Sequence, residues 1–116
     1  MTDKPNILMI MADQLAAQAL SFYGNPVCQT PHLDRLAGQS VVFDNDYSNY
    51  PLSVPSRASM MSGRLTPAIE DWATASALAS GQPTIARPLR HHAYHTVWSG
   101  QIHFIGQEQT NGFDGR

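Results

Sequence analysis

Apolar residues run without a break from Ile7 to Ala12 and stop at the polar pair Asp13-Gln14. A short apolar run of this kind predicts a strand buried on both faces, as in a parallel sheet covered by helices, although a short buried helix fits the run equally well. Val41-Val42-Phe43 predicts a second short strand and Thr96–Ser99 a third. Between them the pattern turns helical. Residues 15–20 suit a helical turn, and Asn25-Pro26 marks a loop. Thr30-Pro31 reads as an N-cap followed by proline at the first helical position, with Leu33, Leu36 and Ala37 at helical spacing and Gly38 as the stop. Residues 44–54 are rich in Asn, Asp, Ser, Tyr and Pro and predict a long ordered loop. Pro55 opens a helix that runs through Ser62, and Gly63 closes it. Some helix is expected around residues 72–79. Another is expected over 84–92, where Pro88 interrupts the pattern. Strand, helix and strand alternate, so the expected class is α/β. In open α/β sheets ligands bind at the carboxyl ends of strands, which draws attention to Asp13.

Composition narrows the partners. A chain of 116 residues makes one domain, and 42% hydrophobic with 14% charged residues is a globular balance. A net charge of -2 gives no reason to expect nucleic acid or an anionic membrane. Cys28 is the single cysteine, so no intrachain disulfide and no Cys-x-x-Cys zinc site can form. The apolar run at residues 7–12 is too short to span a membrane, and no basic leader precedes it. These features make a cytoplasmic location the expectation.

Few residues are arranged for chemistry. Ser53 stands just ahead of the helix expected from Pro55, where free backbone N–H groups and the positive end of the helix dipole favour an anion. Arg57 adds a permanent planar cation one turn on. Ser-Val-Pro-Ser-Arg alone is far more often a serine in a turn before an ordinary helix. By itself, Asp13 after a strand is more often a solvated turn residue, and a lone histidine such as His103 more often a structural hydrogen-bonding group. His91, His92 and His95 match no metal-ligand spacing and read as surface. Cys28 sits in no nucleophile signature and reads as a packed or idle thiol.

The wider context changes the weight of these residues. Residues 53–64, SVPSRASMMSGR, resemble the signature of the sulfatase family, which runs Cys or Ser, any residue, Pro, Ser, Arg, and ends in Ser/Thr-Gly-Arg. PNILMIMADQ resembles that family's first strand and its metal-binding end. TPHLDRLA and VVFDNDY follow in the family's order, and AYHTVWSGQIHF resembles its Gly-Tyr-x-Thr strand and Gly-Lys-x-His site. MADQ, NPVCQTPHLDRLA and NYPLSVPSRASMMSGR are most similar to the choline sulfatase branch.

The resemblance implies a part of the alkaline-phosphatase/sulfatase-like sheet, with helices on both faces, and hydrolysis of a sulfuric ester such as choline sulfate. It implies that Ser53 is the nucleophile, carried in the family as formylglycine. That branch normally has cysteine there, so Ser53 is a departure. A serine-type maturase converts it, or it acts unmodified on phosphate or phosphonate esters, or the change is inactivating. Asp13, with Gln14 and Ser53, is implied at a divalent cation (calcium, manganese or magnesium), Arg57 beside the nucleophile, and His103 at the sulfate. Gln101 stands where the family has a sulfate-binding lysine, a second departure. Ala93 replaces a family glycine. The resemblance covers only the N-terminal portion of a typical member. The expectation is therefore an incomplete catalytic domain over 1–116. The 116-residue chain by itself is expected to be inactive; a homo-oligomer or a missing C-terminal portion would complete it, or the chain is a truncated homologue without catalysis.

Overall fold

The computed structural model describes residues 4–73, 75–76, 78–79 and 81–116. Main-chain contacts divide the chain into two units, Met1–Asn45 and Asp46–Arg116.

The first unit holds two short 3-10 turns, Ala17–Ala19 and Ser21–Tyr23, and the helix α1 over Pro31–Ala37. The turns fall where the pattern over residues 15–20 placed one, extended by three residues. Asn25 organises the loop after them, its side-chain oxygen accepting from the N–H groups of Val27 at 2.9 Å and Cys28 at 2.7 Å. Pro31 begins α1 as predicted, its fixed φ suiting a first helical position. Thr30, however, does not cap the helix through its side chain. Its hydroxyl donates to the Asp34 carboxylate at 3.0 Å, and the Ser21 hydroxyl reaches the same carboxylate at 2.7 Å, which ties the second 3-10 turn to α1. Gly38 ends α1 in right-handed geometry (φ -67°), so the stop does not use glycine's special freedom.

The strands expected at Asn6–Ala12 and Val41–Phe43 do not form among the described residues. Ile7, Leu8 and Ile10 are 60, 83 and 84% exposed, and Val41 and Phe43 are also exposed. The physical reason is pairing. A strand is stable only when its N–H and C=O groups meet a neighbour, and a strand buried on both faces also needs covering layers. Among its described residues the first unit supplies one seven-residue helix and no paired strand, so hydrophobicity alone does not build the ladder.

The second unit is organised by α2, Ser53–Ser62. The helix begins two residues earlier than Pro55, because a proline in the first turn removes only an N–H that has no intrahelical acceptor. The first main-chain bond runs from Ser56 N–H to Leu52 O at 3.0 Å. At the other end Gly63 adopts φ 66°, and Arg64 N–H reaches back to Ser59 O at 3.2 Å. This left-handed C-cap is the stop the sequence predicts. α2 buries Val54, Pro55, Arg57, Ala58, Ser59 and Met61. Ala58 packs with Ile69, the last residue of α3 (Thr66–Ile69), with Leu78, and with the partly buried Phe104.

α4 spans Ala86–His91, inside the predicted 84–92. Pro88 is its third residue and again falls in the tolerant first turn. Ile85 N–H donates to Met61 O at 2.8 Å, joining the segment before α4 to the end of α2. The strand expected at Thr96–Ser99 is reduced to one isolated parallel bridge, Val97 with Gly115, flanked by Asp114 N–H to Thr96 O at 2.8 Å and Trp98 N–H to Gly115 O at 3.2 Å. The described residues of 72–79 carry no helix, and positions 74 and 77 lie outside the described residues.

Candidate active site

Ser53 is the first residue of α2 and is half-buried. It was expected just ahead of the helix; within the first turn its own N–H and that of Val54 precede the first residue bonded to an intrahelical acceptor. The serine hydroxyl therefore sits at the positive end of a ten-residue helix.

One turn along, Arg57 is only 8% exposed. Its guanidinium donates through Nη1 to the backbone carbonyl of Gln101. A buried guanidinium is tolerated only when its donors are engaged, so this bond fixes the arginine and ties α2 to the loop after Trp98. The side-chain amide nitrogen of Gln101 in turn contacts Nε2 of His103. Ser53 and Arg57 through α2, and Gln101 and His103 through this chain of contacts, thus belong to one structural neighbourhood of the second unit. Asp13 and Gln14 lie in the first unit, in the turn after the apolar run, with Gln14 in left-handed geometry at φ 53°.

The loop carrying Gln101 and His103 is bent by positive φ angles at Gly100 (95°), His103 (62°) and Gly106 (110°). Glycine adopts such angles freely, whereas a histidine does so at a cost, and such residues gather at functional sites. The bend leaves a cavity of about 360 Å³ lined by Trp98, Gln101, His103, Phe104 and Ile105, among others. Two polar atoms here, Trp98 Nε1 and His103 Nδ1, are buried without a hydrogen-bond partner among the described residues.

Divalent-cation chemistry requires oxygen donors. Asp13 is a hard carboxylate of the right type, and Gln14 offers an amide oxygen. Calcium takes six to eight oxygens and magnesium an octahedron, so these two supply only part of a shell. Among the described residues, no three His, Cys, Asp or Glu side chains come together where they could hold a metal. His91, His92 and His95 are exposed, as the surface reading expected; His95 lies 3.6 Å from Asp114. Cys28 is exposed and free.

Two features escaped the sequence reading. The Gln101 carbonyl anchors Arg57, and a backbone acceptor leaves no mark in a residue pattern. Asp71, 1% exposed, has no hydrogen-bond partner at either carboxylate oxygen among the described residues. Burial raises its pKa, and the Ser76 hydroxyl works in the opposite direction. It follows Ile69 of the core closely, and a buried neighbour in sequence was the available signal.

The chain matches the sulfatase family over residues 5–115. It is 40% identical over 115 residues to the choline-sulfatase of Rhizobium meliloti, covering 99% of this chain and 22% of that protein. It is 37% identical over 113 residues to the N-acetylglucosamine-6-O-sulfatase of Bacteroides thetaiotaomicron, covering 97% of this chain and 20% of that protein. A solved structure of a protein in complex with its substrate D-glucosamine-2-N,6-O-disulfate superposes with a TM-score of 0.89 at 37% identity, covering 97% of this chain and 22% of that one. The chain belongs to the sulfatase family. It spans about a fifth of the length of the curated relatives it matches. No helix among its described residues is long and apolar enough to cross a membrane.

Proposed function

We propose that this chain is the nucleophile-bearing part of a sulfuric ester hydrolase, with choline sulfate as its substrate. The observation that carries the reading is the linkage of Arg57, Gln101 and His103 to the helix that begins at Ser53. In this reading an oxygen of Ser53, as the hydrated aldehyde of formylglycine or as the serine hydroxyl, attacks the ester sulfur, and the bond from sulfur to the bridging oxygen breaks as the alcohol leaves. The N–H groups of the first turn and the Arg57 cation meet the charge that develops on the transferring group, where fixed donors are most effective. His103 contacts an ester oxygen, and Gln101 borders the same space. Asp13, assisted by Gln14 and Ser53, contributes to a site for calcium, manganese or magnesium. When bound, such a cation polarises the ester oxygen and favours the ionised nucleophile. The enzyme is cytoplasmic and acts on a small ester, with further coordination supplied by a C-terminal portion or a second copy.

Two departures support a second reading. Ser53 stands where the resembling branch has cysteine, and Gln101 where the family has lysine. They fit a homologue with little or no turnover, or one that uses unmodified Ser53 on phosphate or phosphonate monoesters.

The test assays purified protein on choline sulfate, an aryl sulfate and an aryl phosphate with added calcium, magnesium or manganese. With the cation shell completed by a C-terminal portion or a second copy, the expected result is metal-dependent sulfate release, lost in Ser53→Ala. Phosphate release alone, or no turnover with any metal, would replace the first reading by the second. Intact mass separates the two forms of the nucleophile, because formylglycine lacks two hydrogens of serine.

A further inference from the structure

Gln101 occupies a position where an ammonium group would reach for the anion, yet its side chain is engaged elsewhere. The amide nitrogen contacts Nε2 of His103, while the backbone carbonyl of the same residue accepts from Arg57. An amide N–H can donate only to a ring nitrogen that carries no proton. The neutral imidazole then has its proton on Nδ1. That atom is buried and has no partner among the described residues, and the ring lines the 360 Å³ cavity together with Trp98 and Phe104. Buried donors are rarely left unpaired, and an orphan of this kind calls for an acceptor that comes and goes.

We infer that Gln101 is a positioning residue for His103: its amide donates to Nε2, holds the ring in the Nδ1–H form, and so presents a water-shielded N–H to an oxygen of an anionic ester. This deepens the proposed function and rests on it for the identity of the acceptor, but the proton position itself does not. The tautomer of a histidine is set by the bond its other nitrogen makes. Here that bond comes from a side chain held at its backbone by Arg57, the residue one turn beyond the nucleophile. The left-handed backbone of His103, at φ 62°, keeps the imidazole close to a residue only two positions away. A neutral amide at 101 therefore substitutes orientation of His103 for the direct charge of a lysine.

The test is nitrogen-15 NMR of the imidazoles in the full chain at alkaline pH, with His103 assigned through His103→Gln. The expected wild-type spectrum has a protonated-nitrogen shift on Nδ1 and a bare-nitrogen shift on Nε2. Gln101→Met keeps the length but cannot donate, and should abolish the preference. Gln101→Glu accepts instead, and should move the proton to Nε2. A wild-type ring with its proton on Nε2, or a tautomer unchanged in Gln101→Met and Gln101→Glu, overturns the inference. Inorganic sulfate is then titrated as the probe, with the Arg57 guanidinium resonances followed beside His103. Sulfate should shift Nδ1 in the wild type and not in Gln101→Glu. A response at Arg57 with none at His103 overturns the donor role, whereas no response at either group counts against the proposed function and leaves the proton position standing.

Discussion

Arg57 on α2 donates to the backbone carbonyl of Gln101, a residue 44 positions further along the chain. The bond crosses the second unit and spends the charge of a nearly buried side chain on a neutral acceptor. It also sets the distance in sequence over which the candidate site is assembled. The serine and the arginine are local to one helix, and this contact joins that helix to the loop that carries Gln101 and His103.

Replacing Arg57 by alanine should therefore destabilise the second unit as well as empty the anion site. Hydrogen bonds that involve a charged group contribute about 1.5–3 kcal/mol, and the Gln101 carbonyl would lose its donor. The expected loss is about 2–3 kcal/mol, read as a lower denaturation midpoint in urea with little change in slope. Arg57→Lys should recover only part, because a single ammonium cannot reproduce the planar fork. An Arg57→Ala midpoint equal to the wild type would show that the bond carries no stability.

Ala93 gives a cleaner backbone test. The family pattern has glycine at this position, and the structure supplies the reason: Ala93 adopts φ 60° just after α4. A left-handed alanine costs about 1–2 kcal/mol relative to a relaxed conformation, partly offset by the smaller entropy of its unfolded chain. Ala93→Gly should raise stability by about 1 kcal/mol, measured by thermal or urea unfolding. The residue is exposed, so no lost packing competes with the gain.

Much of the helical framework was legible because its signals are local. Pro31, Gly63 and the spacing of Leu33, Leu36 and Ala37 act within a turn or two, and α1, α2 and α4 follow them. The strands were not legible in the same way. Ile7–Ala12 carries the composition of a buried strand, but pairing depends on a neighbour that composition cannot supply, and Leu8 and Ile10 stand more than four-fifths exposed. In the candidate site, Ser53, Arg57 and His103 were legible as candidates because their residue types carry chemistry. The site was illegible where the main chain does the holding, as at the Gln101 carbonyl.

Two carboxylates should respond to pH in opposite senses. Asp114 accepts from the Thr96 backbone N–H at 2.8 Å, which lowers its pKa; burial opposes this, and the Thr96 hydroxyl, Arg90 at 2.7 Å and His95 lower it further. Its contribution is present above the ordinary value of 3.8 and is lost as pH falls through the lower folded value. Asp71 is raised by burial, so its contribution favours the fold below 3.8 and turns into a penalty as pH rises through the folded value. Asp114→Asn should thus lower the urea midpoint at neutral pH, and Asp71→Asn should raise it. The Asp71→Asn difference should close as pH falls from the raised folded value to 3.8, and the Asp114→Asn difference only as the medium becomes more acid than 3.8. A destabilised Asp71→Asn at neutral pH would mean that the ionised carboxylate has a partner that stabilises it.

Gln101→Lys tests the charge of the site directly. Gln101 is exposed, so an ammonium introduced there keeps most of its hydration and costs little to accommodate. Arg57 already binds the carbonyl of residue 101 through the main chain, and that contact survives any side-chain change. The new side chain adds a cation beside His103, where the wild type has a neutral amide. A hydrogen bond to an anion from a charged donor is roughly twice as strong as one from a neutral donor, worth about 1–1.5 kcal/mol more, or about tenfold in affinity. Sulfate should therefore bind Gln101→Lys about tenfold more tightly than the wild type at low salt. Because the position is exposed, the gain should shrink as ionic strength passes about 0.1 M, where screening acts over about 10 Å. Isothermal titration with sodium sulfate across a salt series reads both quantities. An affinity equal to the wild type at low salt would place residue 101 outside the reach of the bound anion, and with it His103, the residue its amide touches.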